Sequence, residues 1–235
     1  MTAGVPTPPA PDGADTDLAA ICAETGLPAD DRQREGMATY LALLQRWNAV
    51  YNLTAVRDPQ AMRTQHLADC LAAVAALARR PEVDRAARIL DVGSGGGLPG
   101  VLLALFRPAG RVTCIDAVAK KAAFVRQVAG ALSLDNLDAR HGRVEALLPA
   151  GSAGGGFDLI TARAFSSLAD LIRLSRHLLC PGGCWMAMKG HVPDDEIAAL
   201  PGDIEAFHVE PLHVPGLQAQ RCLVWMRPRR NAEPA

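Results

Sequence analysis

Aromatic residues are scarce in this chain, at 4% of 235 residues, which leaves few rings for stacking outside the core. No apolar run reaches membrane-spanning length, so a helical membrane span is excluded. No C-x-x-C pair occurs, and the six cysteines (Cys22, Cys70, Cys114, Cys180, Cys184, Cys222) are scattered. They read as reduced, packed thiols, and no metal is expected. The opening, MTAGVPTPPAPDGADTD, lacks the basic start and apolar core of a secretory signal and reads as a disordered leader. Without secretion the Asn52-Leu53-Thr54 sequon carries little meaning.

An overall excess of one charge is also missing: 24 Lys and Arg against 25 Asp and Glu give a formal net charge of −1. The balance hides a division. Residues 1–36 carry seven acids and two bases, net −5, leaving 22 bases and 18 acids, net +4, for the other 199 residues. An acidic leader before a mildly basic body is compatible with RNA binding without demanding it.

What is present changes rhythm at Arg88. Before it, Met37, Tyr40, Leu41, Leu44 and Trp47 recur at helical spacing and predict an amphipathic helix over 31–51. Asp58 and Pro59 form a cap and first-turn proline, opening a helix over 59–79 with Met62, His66, Leu67, Cys70, Val74 and Leu77 on its inner side. With a short helix near 17–25, these make an N-terminal helical extension, 17–80, behind a leader of 1–16. After Arg88, the runs RILDVG, RVTCID, LDARHG, FDLITAR and GGCWMAMKG read as five strands. Helices near 99–106, 119–132, 143–148 and 167–179 lie between them, the pattern of a parallel sheet wound on both faces. IEAFHVEPLHV and QRCLVWMRP, separated by PGLQA, predict a closing antiparallel hairpin. The result is an α/β unit over 86–228 with a mostly parallel seven-stranded sheet, followed by a tail, 229–235. GSAGGG, 151–156, reads as a surface loop.

The stretch LDVGSGGGLPGV, 90–101, lies where a doubly wound sheet holds its ligand, after the first strand and before a helix. Read from Gly95 it is G-x-G-x-x-G, a dinucleotide pattern; read from Asp91 it is D-x-G-x-G-x-G, a first motif of S-adenosylmethionine enzymes. Glycines let backbone approach a ligand closely, and Pro99 opens the helix without wasting an amide donor. The charge of Asp91 favours the second reading. A carboxylate at the mouth of the loop repels a pyrophosphate and attracts an ammonium and a sulfonium, by up to about 4 kcal/mol before desolvation. Asp116 ends the next strand, 25 residues on, where an acid accepts from ribose hydroxyls with either cofactor.

Six stretches, in order, resemble the RsmG family, also called glucose-inhibited division protein B. They are RWNAVYNLTAVRDPQAMRTQHLADCL, ILDVGSGGGLPGVLLAL, CIDAVAKKAAFVRQVAGALSLDN, GRVEAL, FDLITARAFSSLADL and GGCWMAMKG, within about 35–228. The resemblance implies a Rossmann-like class I S-adenosylmethionine-dependent methyltransferase acting on N7 of a guanine in the 530 loop of bacterial 16S ribosomal RNA. It also implies cofactor positions at Gly93, Leu98, Val144, Glu145 and Arg163, beside Asp91, Gly95 and Asp116 from the loop reading. The implied setting is the cytoplasm, with 16S rRNA as partner, either naked or, as favoured, in the small ribosomal subunit; no membrane or metal is expected, and the sequence leaves the oligomeric state open with a monomer favoured. Gly96 stands where relatives often carry proline, and Ala117 follows Asp116 where many have serine.

Guanine N7 carries a lone pair and no proton at neutral pH, so its methylation needs alignment and no general base. No acid–base residue is therefore assigned. Lys189, at the end of the fifth strand, is expected to contact substrate. Arg57, Arg63 and His66, with Arg126, Arg140 and Arg143, are candidates for a phosphate-binding face, although any one of them also reads as a solvated charge and His66 as a satisfied core histidine. Phe165 reads as core, with stacking on an extruded base as the alternative. RPRR, 227–230, is a basic end that either holds RNA or is solvated. Three other readings stay open: an NAD-type oxidoreductase, a non-catalytic rRNA-binding assembly factor, and a methyltransferase of another substrate.

Overall fold

The computed structural model describes residues 14–148 and 155–229. The leader through Gly13, most of the GSAGGG stretch and the tail beyond Arg229 lie outside the described residues. The chain opens with α1 (Ala14–Glu24), α2 (Asp31–Tyr51), the one-turn α3 (Pro59–Met62), a π-helical turn (Arg63–Ala68) and α4 (Asp69–Ala78). The first parallel units follow as β1 (Arg88–Val92), α5 (Gly100–Phe106), β2 (Arg111–Asp116), α6 (Ala119–Ala131) and β3 (Leu137–His141). Beyond them come a 3-10 turn (Val144–Ala146), β4 (Phe157–Arg163), α7 (Leu168–Ser175), β5 (Leu179–Lys189), α8 (Asp194–Ala198), β6 (Ile204–Pro211) and β7 (Cys222–Pro228).

Local chemistry explains the helix ends. Asp30 accepts the Gln33 amide at 2.8 Å while the Gln33 side chain takes the Asp30 amide at 2.9 Å, a reciprocal cap that starts α2. Asn52, left-handed at φ 50°, ends it. Asp58 accepts the Ala61 amide at 2.7 Å, and Pro59 follows it. The stretch expected as one helix over 59–79 is broken: the ladder widens into a π turn at Arg63–Ala68, and that turn carries His66. The helix expected over 143–148 is a single 3-10 turn, α5 begins at Gly100 after a cis Leu98–Pro99 bond, and α8 had no counterpart in the sequence reading.

The sheet order is β3-β2-β1-β4-β5-β7-β6. Strands β1 to β5 pair in parallel, and β7 pairs antiparallel with both β5 and β6. β1 is central and covered on both faces, as a run without alternation predicts. Ile89 packs into the cluster that includes α2, α4 and α5, whereas Leu90 and Val92 pack into the cluster that includes α7. Strand order reverses between β1 and β4, so the carboxyl ends of these strands flank the crevice where such sheets bind ligands. Val92 and Arg163 end those strands.

Candidate functional site

The glycine loop leaves β1 and is held from beneath by two acids. Gly93 and Ser94 donate to the Ile115 carbonyl at 2.9 and 3.2 Å, which fastens the loop to β2. Asp116 accepts the Gly95 amide at 2.9 Å and the Val118 amide at 2.8 Å. Asp91 accepts the Gly100 amide at 2.9 Å. A Cβ at Gly100 would stand 2.3 Å from Cys114 Sγ, so only glycine fits over this acid. Gly93, Gly95 and Gly97 have φ of 66°, 56° and 86°, a left-handed backbone that favours glycine. From the opposite side, the Tyr40 hydroxyl donates to the Gly96 carbonyl at 2.8 Å. Sequence reasoning placed Tyr40 in the core by its helical spacing and missed this grip, for which no local motif exists.

Asp91 is not at the mouth of the loop. It is 0% exposed, lies behind the glycines, and keeps one oxygen, Oδ1, without a hydrogen-bond partner. Desolvation by burial pushes its carboxyl up to about 7, against the lowering effect of the Gly100 amide. The carboxylate expected to greet a ligand directly thus lies under the backbone. The chain curls back over its own strand end, where Gly100 donates to the carboxylate and covers it.

Two cavities meet at Gly93, which lines both. The first, about 190 Å³, is bounded by Asp116, Val144, Glu145 and Phe165, with Ile115 and Leu174 adding apolar wall. The second, about 250 Å³, is bounded by Thr54, His66, Gly95, Leu98, Lys121 and Arg163. Of the cofactor positions expected from the sequence, Gly93, Asp116, Val144 and Glu145 line one cavity, and Gly93, Gly95, Leu98 and Arg163 line the other. Asp91 lines neither.

The second cavity is polar because of one network. Arg163 Nη1 lies 3.3 Å from His66 Nδ1, 3.4 Å from the Gln65 carbonyl and 3.7 Å from Asp69 Oδ2. Asp69 also accepts from Arg221 Nε at 3.0 Å. A guanidinium only donates, so His66 Nδ1 accepts and the ring proton sits on Nε2, 2.7 Å from Thr54 Oγ1. Desolvation, with the Arg163 charge second, pushes His66 down to about 4 and keeps the ring neutral. Asn48 holds this segment in turn, accepting the Thr54 amide at 2.9 Å and donating to the Val56 carbonyl at 3.2 Å. The wall thus combines the end of β4 with the π turn and the α2–α3 connection. Thr54, Asn48 and Asp69 were missed: Asn48 and Thr54 act through loop contacts that carry no motif, and Asp69 meets Arg163 only in the folded chain.

Other sequence candidates sit elsewhere. Lys189 Nζ is 2.8 and 2.9 Å from the Glu196 carboxylate, which also accepts the Leu168 amide at 2.7 Å. Lys189 is tied between β5, α7 and α8 and lines neither cavity. Arg57 donates to Asn52 Oδ1 at 2.9 Å and Arg63 to Gln60 Oε1 at 3.2 Å, neither lining a cavity of the cleft. Arg126 reaches the Ala139 carbonyl, Arg140 pairs with Asp138, and Arg143 pairs with Glu145 beside the first cavity. Arg227 pairs with Glu205 at 2.6 Å and lies over the Phe207 ring, fixed on the outer hairpin. All six cysteines are free, and Cys70 is pushed up to about 12 by burial. Among the described residues no helix is long and apolar enough to cross a membrane, and no three His, Cys, Asp or Glu residues group to hold a metal ion.

Known proteins match the chain along most of its length. The family model GidB, rRNA small subunit methyltransferase G, matches residues 33–224. The ribosomal RNA small subunit methyltransferase G of Leptothrix cholodnii is 58% identical over 207 residues, covering 88% of this chain and 92% of the relative. The protein of the same description from Acidovorax ebreus is 55% identical over 210 residues, covering 86% and 90%. Among solved structures, a SAM-dependent methyltransferase from Aquifex aeolicus aligns with a TM-score of 0.54 at 16% identity, covering 74% of this chain and 96% of that one. TrmN from Thermus thermophilus aligns at 0.51 and 20%, covering 68% and 48%. These two likenesses establish a shared fold.

Proposed function

The chain belongs to the GidB family of small-subunit rRNA methyltransferases, and from that premise we propose that it methylates N7 of a guanine in the 530 loop of 16S ribosomal RNA. The donor is S-adenosylmethionine, as the family requires. One observation carries the assignment of residues: two cavities of different chemistry meet at Gly93, one with an acid and apolar walls, the other with an arginine.

The residues present fit this cofactor. Gly93 and Gly95 leave room above the backbone, with the nearest atom 3.9 Å from a Cβ built at either. Asp116 has a lone pair left on each oxygen and would accept from ribose hydroxyls. Val144, Glu145 and Phe165 would bound the adenine, and Leu98 and Gly95 the chain beyond it. Arg163, steadied by neutral His66, would hold the carboxylate of the amino-acid end. In its ionised form Asp91 would add a negative field favouring the two cationic groups. When bound, the cofactor supplies an electrophilic methyl group.

No residue need remove a proton, because guanine N7 has none at neutral pH. His66 is engaged between Thr54 and Arg163 and so positions rather than serving as a base. What the chain supplies is alignment, and well-held geometry accounts for about 7–11 kcal/mol of such barriers. On this reading residues 17–80 are a helical extension and 86–228 the transferase unit. The enzyme works as a monomer in the cytoplasm, without a metal, on rRNA within the small subunit. Arg57 and Arg63 contact phosphate along the approach.

Labelled S-adenosylmethionine, the purified full chain and small subunits from cells lacking the gene test the proposal. The expected product is label in 7-methylguanosine of the 530 loop. Label in another nucleoside would move the target. No label in RNA would instead support an assembly factor, and preference for NAD(H) over the methyl donor would revive the oxidoreductase reading.

A further inference from the structure

Large apolar side chains seldom stand exposed without a reason when they cluster. Among the described residues the exposed ones are Val50 at 69%, Tyr51 at 45%, Val118 at 39%, Leu148 and Val192. The first three converge. Val50 and Tyr51 end α2, and Val118 caps α6, whose first turn carries Lys120. Lys120 Nζ donates to the Tyr51 carbonyl at 2.6 Å and brings those two ends together. Beneath them, Trp47 packs on Tyr51 at 5.0 Å and on Phe124 at 5.5 Å between ring centroids.

The two segments that form this patch carry charge of one sign, with Asp116 paired to Lys121 at their edge. From Gly36 to Arg57 and from Ala117 to Leu134 the chain contains no Asp or Glu, while it contributes Arg46, Arg57, Lys120, Lys121 and Arg126. The patch also borders the cleft. Leu53 and Thr54, just after Tyr51, and Lys121, just after Lys120, line the cavity that holds Arg163. Exposed ring, apolar neighbours and an excess of cations at the rim of a cleft match single-stranded nucleic acid, whose bases stack and whose phosphates are anionic.

We propose that the surface formed by Val50, Tyr51, Val118 and Lys120 is where the substrate RNA docks, with an unpaired base stacked on Tyr51 and a phosphate on Lys120. This deepens the functional reading above and rests on it. It also gives the N-terminal helices a second task, since α2 both grips the glycine loop through Tyr40 and presents RNA to the cleft through its last turn.

The test uses the full chain, small-subunit RNA and S-adenosylmethionine, with Tyr51→Ala, Tyr51→Trp, Lys120→Gln and, as control, Leu148→Ala. Leu148 lies at a separate groove with Arg88 and Arg111, at the amino-terminal ends of the strands. Tyr51→Ala is expected to raise KM for RNA about tenfold, the scale of one lost base–aromatic stack. Tyr51→Trp should restore it, and affinity for S-adenosylmethionine should hold in all four. Lys120→Gln should lower the slope of log KM against log salt by about one. Active wild type with unchanged RNA KM and salt slope in Tyr51→Ala and Lys120→Gln would overturn the docking surface and leave it to another occupant, such as a protein. Wild type that methylates no RNA would overturn the functional reading first, and the docking surface with it.

Discussion

The two cavities that meet at Gly93 are built in different ways. The wall with Asp116, Val144 and Phe165 comes entirely from the ends and connections of the sheet. The wall with Arg163 is shared between β4 and the N-terminal helices, through His66, Thr54 and Tyr40. The first is what any sheet of this winding offers a nucleoside. The second needs the extension, which supplies His66, Thr54 and Tyr40 to its wall.

The largest effect should come at the shared point. Gly93→Ala puts a Cβ at a left-handed φ of 66° and into the space between the cavities, while its nearest neighbour, Phe165, is still 3.9 Å away. The backbone penalty is about 1–2 kcal/mol. Calorimetry should show S-adenosylmethionine and free adenosine both lost, with the fold retained by circular dichroism. Retained adenosine binding would detach the first cavity from the loop.

The next substitutions separate the walls. Arg163→Met removes a charge-assisted contact of about 1.5–3 kcal/mol, so affinity for S-adenosylmethionine should drop roughly 10- to 150-fold while adenosine binds as before. Asp116→Asn should weaken both ligands. Equal losses of adenosine in the two variants would break the division into halves.

Acid sensitivity sharpens it further. His66 is held near 4 in the folded state, below its usual 6.5, so its contribution to stability is present above pH 6.5 and is lost as pH falls toward 4. Asp91 is raised from 3.8 to about 7, so its contribution is present below 3.8 and is lost as pH rises toward 7. The two oppose one another over most of that window. Denaturant titrations of His66→Gln should therefore show stability falling relative to wild type as pH rises from 4 to 6.5. Asp91→Asn should show the reverse, losing relative stability as pH falls. Parallel curves for wild type and both variants would contradict the assigned environments.

The smallest effect belongs to Lys189, which the sequence pattern offers as a substrate contact. Lys189→Met should lower the melting temperature by a few degrees at most, by loosening Glu196 from β5, and leave RNA KM unchanged. A raised KM would return it to the substrate side.

Much of this was legible beforehand, for local reasons. The apolar stripe beginning at Met37 marks a helix over 31–51 without any tertiary information, and the structure has α2 at Asp31–Tyr51. The seven strands follow from apolar runs and turn residues, and their order agrees with a switch point beside the glycine loop. What stayed hidden depends on contacts across the chain. Nothing in the stretch from Pro59 to Ala78 marks one widened turn, because the apolar stripe runs on through it. The pairing of His66 with Arg163 spans 97 positions. Asp91 was placed correctly on its strand and wrongly at the loop's mouth, because the direction taken by a chain of successive glycines is decided by what it folds onto.

The most direct test is a crystal structure with S-adenosylhomocysteine bound. The predicted pose has adenine against Val144 and Phe165, ribose hydroxyls on Asp116 and the amino-acid carboxylate on Arg163, with the chain passing Gly93 from one cavity to the other. A ligand confined to one cavity, or one whose carboxylate lies away from Arg163, would contradict it.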